Sequence, residues 1–131
     1  MSIVLHGLPN CDSCRKARNW LDRKGIAYRF LDYRAQRPEP ETLRDWARQA
    51  GGWDKLINRS GTTWRTLLPQ RKQPASDPEW TLLIREHPAL LRRPLVLRDD
   101  ALLGCGFSDR QFGGWFGAGD GEGAGADSAP R

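Results

Sequence analysis

Methionine, histidine and cysteine are scarce in this chain: one, two and three among 131 residues. Three cysteines is an odd and small number for a secreted disulfide scaffold, so an apolar core rather than covalent staples must hold the fold. A zinc site built on Cys11 and Cys14 would need two further ligands. Only Cys105, His6 and His87 are at hand, none in a paired spacing, so no metal is expected. Long apolar runs are missing too. None approaches the roughly 20 residues that span a bilayer. No basic segment leading into an apolar stretch and a small-residue cleavage site precedes Ile3-Val4-Leu5. The expectation is a cytoplasmic protein with reduced thiols and no membrane partner.

What is present is enough for a single folded domain: 38% hydrophobic residues, with six tryptophans spread through the first 115 positions. The formal charge of +5 comes mainly from arginine. These arginines are scattered and no nucleic-acid reading module accompanies them, so direct nucleic-acid binding is not expected. A small anionic ligand or an acidic protein surface suits the balance better.

Residues 2–7 form a short apolar run that reads as a strand, and Leu8-Pro9-Asn10 supplies a turn. Ala17, Trp20 and Leu21 then follow at helical spacing up to Gly25. Ala27 to Tyr33 reads as a second strand, parallel to the first. Pro40 or Glu41 opens a helix ended by Gly51-Gly52, and residues 53–58 suggest a shorter one. A helical turn follows at Thr62 to Leu67, and another helix is capped by Asp77 with Pro78 in its first turn. Residues 94–97 and 101–104 form a hairpin around Arg98-Asp99-Asp100, and Ser108 or Asp109 begins the last helix. Residues 117–131 carry no large apolar side chain and are expected to be a disordered tail. The order is α/β: strand–helix–strand, a helical insertion at about 40–86, then strand–strand–helix, within a domain of residues 1–116.

Chemistry concentrates at Cys11-Asp12-Ser13-Cys14. Cys11 falls at the start of a helix, where unpaired N–H groups and the helix dipole favour a thiolate. Cys14 lies one turn further in, within reach for a small disulfide. Arg93-Pro94 opens a strand, an unusual place for proline unless the bond before it is cis or its nitrogen faces open space. Arg93 is expected near the Cys11 sulfur, where a guanidinium can stabilise the thiolate or hold an oxyanion through a two-pronged hydrogen bond. Arg59, in the polar loop Asn58-Arg59-Ser60-Gly61-Thr62, is a second candidate anion ligand, as well as a candidate solvated loop residue. His87 reads as a helix-end cap, and Cys105 as a small packing residue.

Taken together, residues 9–18 (Pro-Asn-Cys-Asp-Ser-Cys-Arg-Lys-Ala-Arg), 58–65 (Asn-Arg-Ser-Gly-Thr-Thr-Trp-Arg), Glu86-His87-Pro88 and Arg93-Pro94 resemble the arsenate-reductase-like ArsC/Spx/YffB family. The resemblance covers about residues 3–116. It implies a thioredoxin-like fold with a mixed four-stranded sheet, and Cys11 as nucleophile. It also implies Cys14 and Arg93 in catalysis, with Arg59, Arg93, Pro94 and Asn10 lining the substrate. Arsenate reductases of this type surround the oxyanion with three arginines. Arg59 and Arg93 match two, but the third would fall near Cys105-Gly106-Phe107, which argues against arsenate. The Spx regulators share Cys-x-x-Cys and Leu-Leu-Arg-Arg-Pro, sense oxidation and bind RNA polymerase. The Arg-Ser-Gly-Thr-Thr-Trp-Arg loop looks more like the YffB branch. The expectation is therefore a thiol-disulfide reductase with no tightly bound cofactor and with glutathione as co-substrate. Its partners would be glutathione, a small oxidised or anionic molecule, or a protein disulfide.

Overall fold

The structure, a computed structural model, describes residues 2–117; the tail expected to be disordered lies, from residue 118 on, outside the described residues. These fall into two compact units. One joins the two ends of the chain, up to Leu31 and from Arg93 onward, and the other is Asp32–Arg92.

The first unit carries a mixed four-stranded sheet in the order β2-β1-β3-β4. Its strands are β1 (Ile3–Gly7), β2 (Arg29–Asp32), β3 (Leu95–Arg98) and β4 (Ala101–Cys105). β3 runs antiparallel to both β1 and β4. Its Leu95, Val96 and Leu97 are all buried, as a central strand covered on both faces requires. Between β3 and β4, Asp99 and Asp100 both take positive φ, 51° and 68°. Such a turn matches the right-handed twist of a hairpin, and aspartate tolerates it better than bulkier residues do.

Helix α1 (Asp12–Arg23) buries Cys14, Ala17, Trp20 and Leu21, the face its apolar spacing defines. Helix α5 (Asp109–Phe116) starts at Ser108, whose hydroxyl accepts the Gln111 N–H at 3.0 Å. Its Phe112 is fully buried and meets Trp20 edge-on at 5.5 Å and Phe107 at 4.8 Å. Aromatic pairs of this kind add about 0.5–1.5 kcal/mol each beyond burial. Leu5 and Val96 from the sheet complete this core.

In the second unit, α2 (Pro40–Ala50) has proline in its first turn and ends at Gly51 with φ of 93°, the left-handed stop that glycine permits. Helices α3 (Thr62–Arg65) and α4 (Asp77–Glu86) follow. The shorter helix expected over residues 53–58 is only a 3₁₀ turn, Trp53–Lys55. Beyond it the backbone pairs with a distant segment. Ile57 bridges Leu91, Asn58 donates to the Leu90 carbonyl at 2.8 Å, and Arg92 donates to that of Leu56 at 2.7 Å. Helix α4 is capped by Ser76, which accepts the Glu79 N–H, and not by Asp77, which is already helical. Trp80 is stacked between Trp53 at 5.9 Å and Trp64 at 6.4 Å.

Candidate active site

The sheet unit builds the site from a strand end, a turn and a helix start. β1 stops at Gly7, the chain turns through Leu8-Pro9-Asn10, and Cys11 becomes the residue that precedes α1. Its extended backbone, φ −99° and ψ 132°, is the ordinary geometry of that position. The Cys11 side chain does not close a regular cap. It is the charged form of the sulfur that the first turn favours.

Burial alone would push the Cys11 thiol up, since it disfavours the thiolate. Hydrogen bonding outweighs it. The Cys14 backbone N–H, the Arg93 side chain, the Cys14 thiol and the Ser13 backbone N–H all favour the thiolate, and the Cys11 pKa is lowered. Arg93 is half-buried at the peptide bond before Pro94, which is cis, and Pro94 itself is buried. Asn10 is exposed in the turn before Cys11.

Cys14 has the opposite environment. It is fully buried, and its thiol is pushed up to about 12, first by burial and further by the neighbouring Cys11 charge and hydrogen bond. The Leu8 backbone N–H and the positive charge of Arg93 work against this shift and do not reverse it. One residue invisible to a motif search makes the arrangement possible. A Cβ on Gly7 would stand 2.5 Å from the Cys14 sulfur, closer than any real contact. The only signal in the sequence was a glycine closing a strand just before the cysteines.

Arg59 belongs to the helical unit. There it pairs with Asp54, and its guanidinium lies over the Trp64 ring, 4.9 Å from the centroid. Cys105 is half-buried on β4, opposite Leu95. His87 ends α4, its backbone N–H donating to the Leu83 carbonyl at 2.9 Å. Among the described residues, no three His, Cys, Asp or Glu side chains gather where they could hold a metal ion.

A mixed four-stranded sheet with a thiol of lowered pKa at the start of its first helix defines a thioredoxin-like α/β protein. The chain belongs to the ArsC family, whose family model matches residues 6–114. Among solved structures it is similar to the YffB protein PA3664, with 33% identity over 86% of this chain and 97% of that one, and a TM-score of 0.74. It is also similar to an arsenate reductase (ArsC) related protein from Brucella melitensis: 34% identity, 90% of this chain and 97% of that one, TM-score 0.70. A curated relative is the global transcriptional regulator Spx 2 of Bacillus anthracis, 31% identical over 84% of this chain and 83% of its own length. Among the described residues, no helix is long and apolar enough to cross a membrane.

Proposed function

We propose that this protein is a glutathione-dependent thiol–disulfide reductase that works through Cys11. The observation that carries the reading is the opposed state of two sulfurs in one helical turn: Cys11 lowered and partly open, Cys14 pushed up to about 12 and buried. Nucleophilic attack needs a thiolate that a substrate can reach, and of these two sulfurs Cys11 is the one that meets both conditions. In the first step the Cys11 thiolate attacks one sulfur of a disulfide R–S–S–R′. A bond forms from Cys11 to R′S and the S–S bond breaks. The electron pair leaves with RS⁻, which takes a proton from water. In the second step a glutathione thiolate attacks the glutathionyl or other sulfur held on Cys11. The Cys11 thiolate returns and GS–S–R′ is released, so the net exchange is one glutathione thiol consumed, one RSH thiol formed and the disulfide passed on; where R′S is glutathionyl, the product is glutathione disulfide. Arg93 meets the negative charge on Cys11 before the first step and after the second.

In this scheme Cys14 holds its proton and steadies the Cys11 thiolate, while an external thiol resolves the intermediate. Glutathione-coupled reduction of a small mixed disulfide, followed by NADPH consumption through glutathione reductase, tests it. Cys11→Ser should lower turnover by at least about 10³-fold, whereas Cys14→Ser should keep most of it. Loss of turnover in both variants alike would assign the resolving step to Cys14. No Cys11-dependent turnover of any disulfide would overturn the reading.

A second reading is favoured by the similarity to Spx 2. In it, the Cys11–Cys14 pair is a redox switch on a regulator that binds RNA polymerase. Specific, oxidation-dependent binding to purified RNA polymerase, in the absence of turnover, would establish it.

A further inference from the structure

Beside the thiol, the sheet unit carries an open cavity of about 480 Å³ lined by Ser13, Lys16, Asn19, Arg23, Phe107, Ser108 and Asp109. Ser13 joins it to the chemistry, because the same residue turns its backbone N–H to the Cys11 sulfur. Side chains of both charge signs line this cavity. Arg15, Arg34, Arg48, Arg59 and Arg71 each pair with a nearby carboxylate. Lys16, Arg23 and Asp109 have no ion-pair partner among the described residues, although both signs are present around one cavity. Ligand pockets of small molecules span roughly 300–1,000 Å³, so there is room for a dipeptide-sized group.

We infer that this cavity binds the amino-acid end of the thiol co-substrate, the end carrying one α-ammonium and one α-carboxylate. The inference rests on the glutathione-dependent reading above and names which part of the molecule is recognised. Lys16 and Arg23 take the carboxylate, and Asp109 takes the ammonium. A purely anionic end would leave Asp109 repelled, and a purely cationic one would face Lys16 and Arg23; a zwitterionic head group satisfies both signs at once. The Phe107 side of the cavity offers an apolar wall for the methylenes between this head group and the cysteinyl sulfur. In glutathione that end is the γ-glutamyl group, so the cavity selects γ-glutamyl thiols over thiols that lack it.

The test compares glutathione, γ-glutamylcysteine, cysteinylglycine and 2-mercaptoethanol as reductants of the full-length protein. Glutathione and γ-glutamylcysteine are expected to share a low KM, with cysteinylglycine and 2-mercaptoethanol at least about tenfold higher. Lys16→Glu and Arg23→Glu should each raise the KM for glutathione by about tenfold and leave turnover with 2-mercaptoethanol within about twofold. Equal KM values for γ-glutamylcysteine and cysteinylglycine, or a loss with 2-mercaptoethanol as large as with glutathione, would overturn the inference. A second measurement separates this from failure of the enzymatic reading. S-methylglutathione, which has no reactive thiol, should shift the NMR signals of Ser13, Lys16, Ser108 and Asp109 in the wild-type protein. Those shifts without turnover by any thiol would uphold the cavity and remove the enzyme. Turnover without those shifts would uphold the enzyme and remove the cavity.

Discussion

The two arginines singled out in the sequence, Arg59 in the helical unit and Arg93 in the sheet unit, meet different partners. In the helical unit, Arg34 pairs with Asp32, Arg48 with Asp45, Arg59 with Asp54 and Arg71 with Glu86, and Arg59 also covers the Trp64 ring. Each of these ion pairs is largely exposed and contributes at most about 1 kcal/mol. Their effect is to cancel charge locally. In the sheet unit Arg15 pairs with Asp12 in the same way, but Arg93 turns to a sulfur, and Lys16 and Arg23 meet no carboxylate among the described residues. Positive charge that is left uncancelled can act on a thiolate or an anionic ligand. Arg93 is thus engaged with the sulfur, whereas Arg59 is engaged with Asp54 and Trp64.

The largest effect that would sharpen the contrast lies at Gly7. Gly7→Ala would force the Cys14 sulfur out of its place against the strand, at a cost of about 1–3 kcal/mol, read as a lower urea midpoint. Unchanged stability would show that the Cys14 side chain is loosely held. Next comes the sulfur itself. Arg93→Ala should raise the Cys11 pKa and slow its alkylation by iodoacetamide at pH 7 by about tenfold, with Arg93→Lys restoring part of the rate. Because the Cys11 pKa is lowered from the ordinary thiol range, reactivity in the wild type falls away at a lower pH than for a free thiol, as pH drops through that pKa. In the variant the same fall begins at a higher pH. Arg59→Ala should change this rate by no more than about twofold, since Asp54 and Trp64 already engage that charge. An Arg59 effect equal to that of Arg93 would break the comparison.

A further effect concerns His6 on β1. Burial, and then repulsion by Arg29, lowers its pKa from 6.5 to about 4. As pH falls from 6.5 toward 4, the unfolded chain takes up the proton first, so stability is lost over that window. The loss at pH 5 is about 1 kcal/mol once solvent screening is allowed for. His6→Gln should flatten that limb in urea titrations at pH 7 and pH 5. An unaltered slope would place the acid sensitivity elsewhere.

Much of the frame was legible in residues 2–25, 40–51 and 94–116, because caps, prolines, glycines and apolar spacing act over a few residues. The hairpin turn at Asp99-Asp100, the stop at Gly51 and the Ser108 cap are local choices of this kind. Residues 53–58 misled because their apolar spacing fits a helix, while the bridge from Ile57 to Leu91 offers the backbone a distant partner. The cap of α4 was misplaced by one residue, since Ser76 and Asp77 are both good cap residues and only the observed geometry chooses between them. Within the site, Cys11, Cys14 and Arg93 were each visible as types. Gly7 and the cavity beside Ser13 were not, because neither is a pattern of neighbouring residues.

By itself the sequence determined that Cys11 stands at a helix start, for the turn before it and the periodicity after it leave no other place. It also determined the order of strands and helices. That Cys14 is fully buried with its thiol pushed up, while Cys11 is lowered with the help of Arg93, was decided only by the tertiary structure. Packing against β1 at Gly7 buries Cys14 and keeps its proton, whereas Arg93, brought in from a distant strand, helps draw the proton from Cys11. Both effects depend on solvent exclusion and on charges a few ångströms away, and residues distant along the chain supply them.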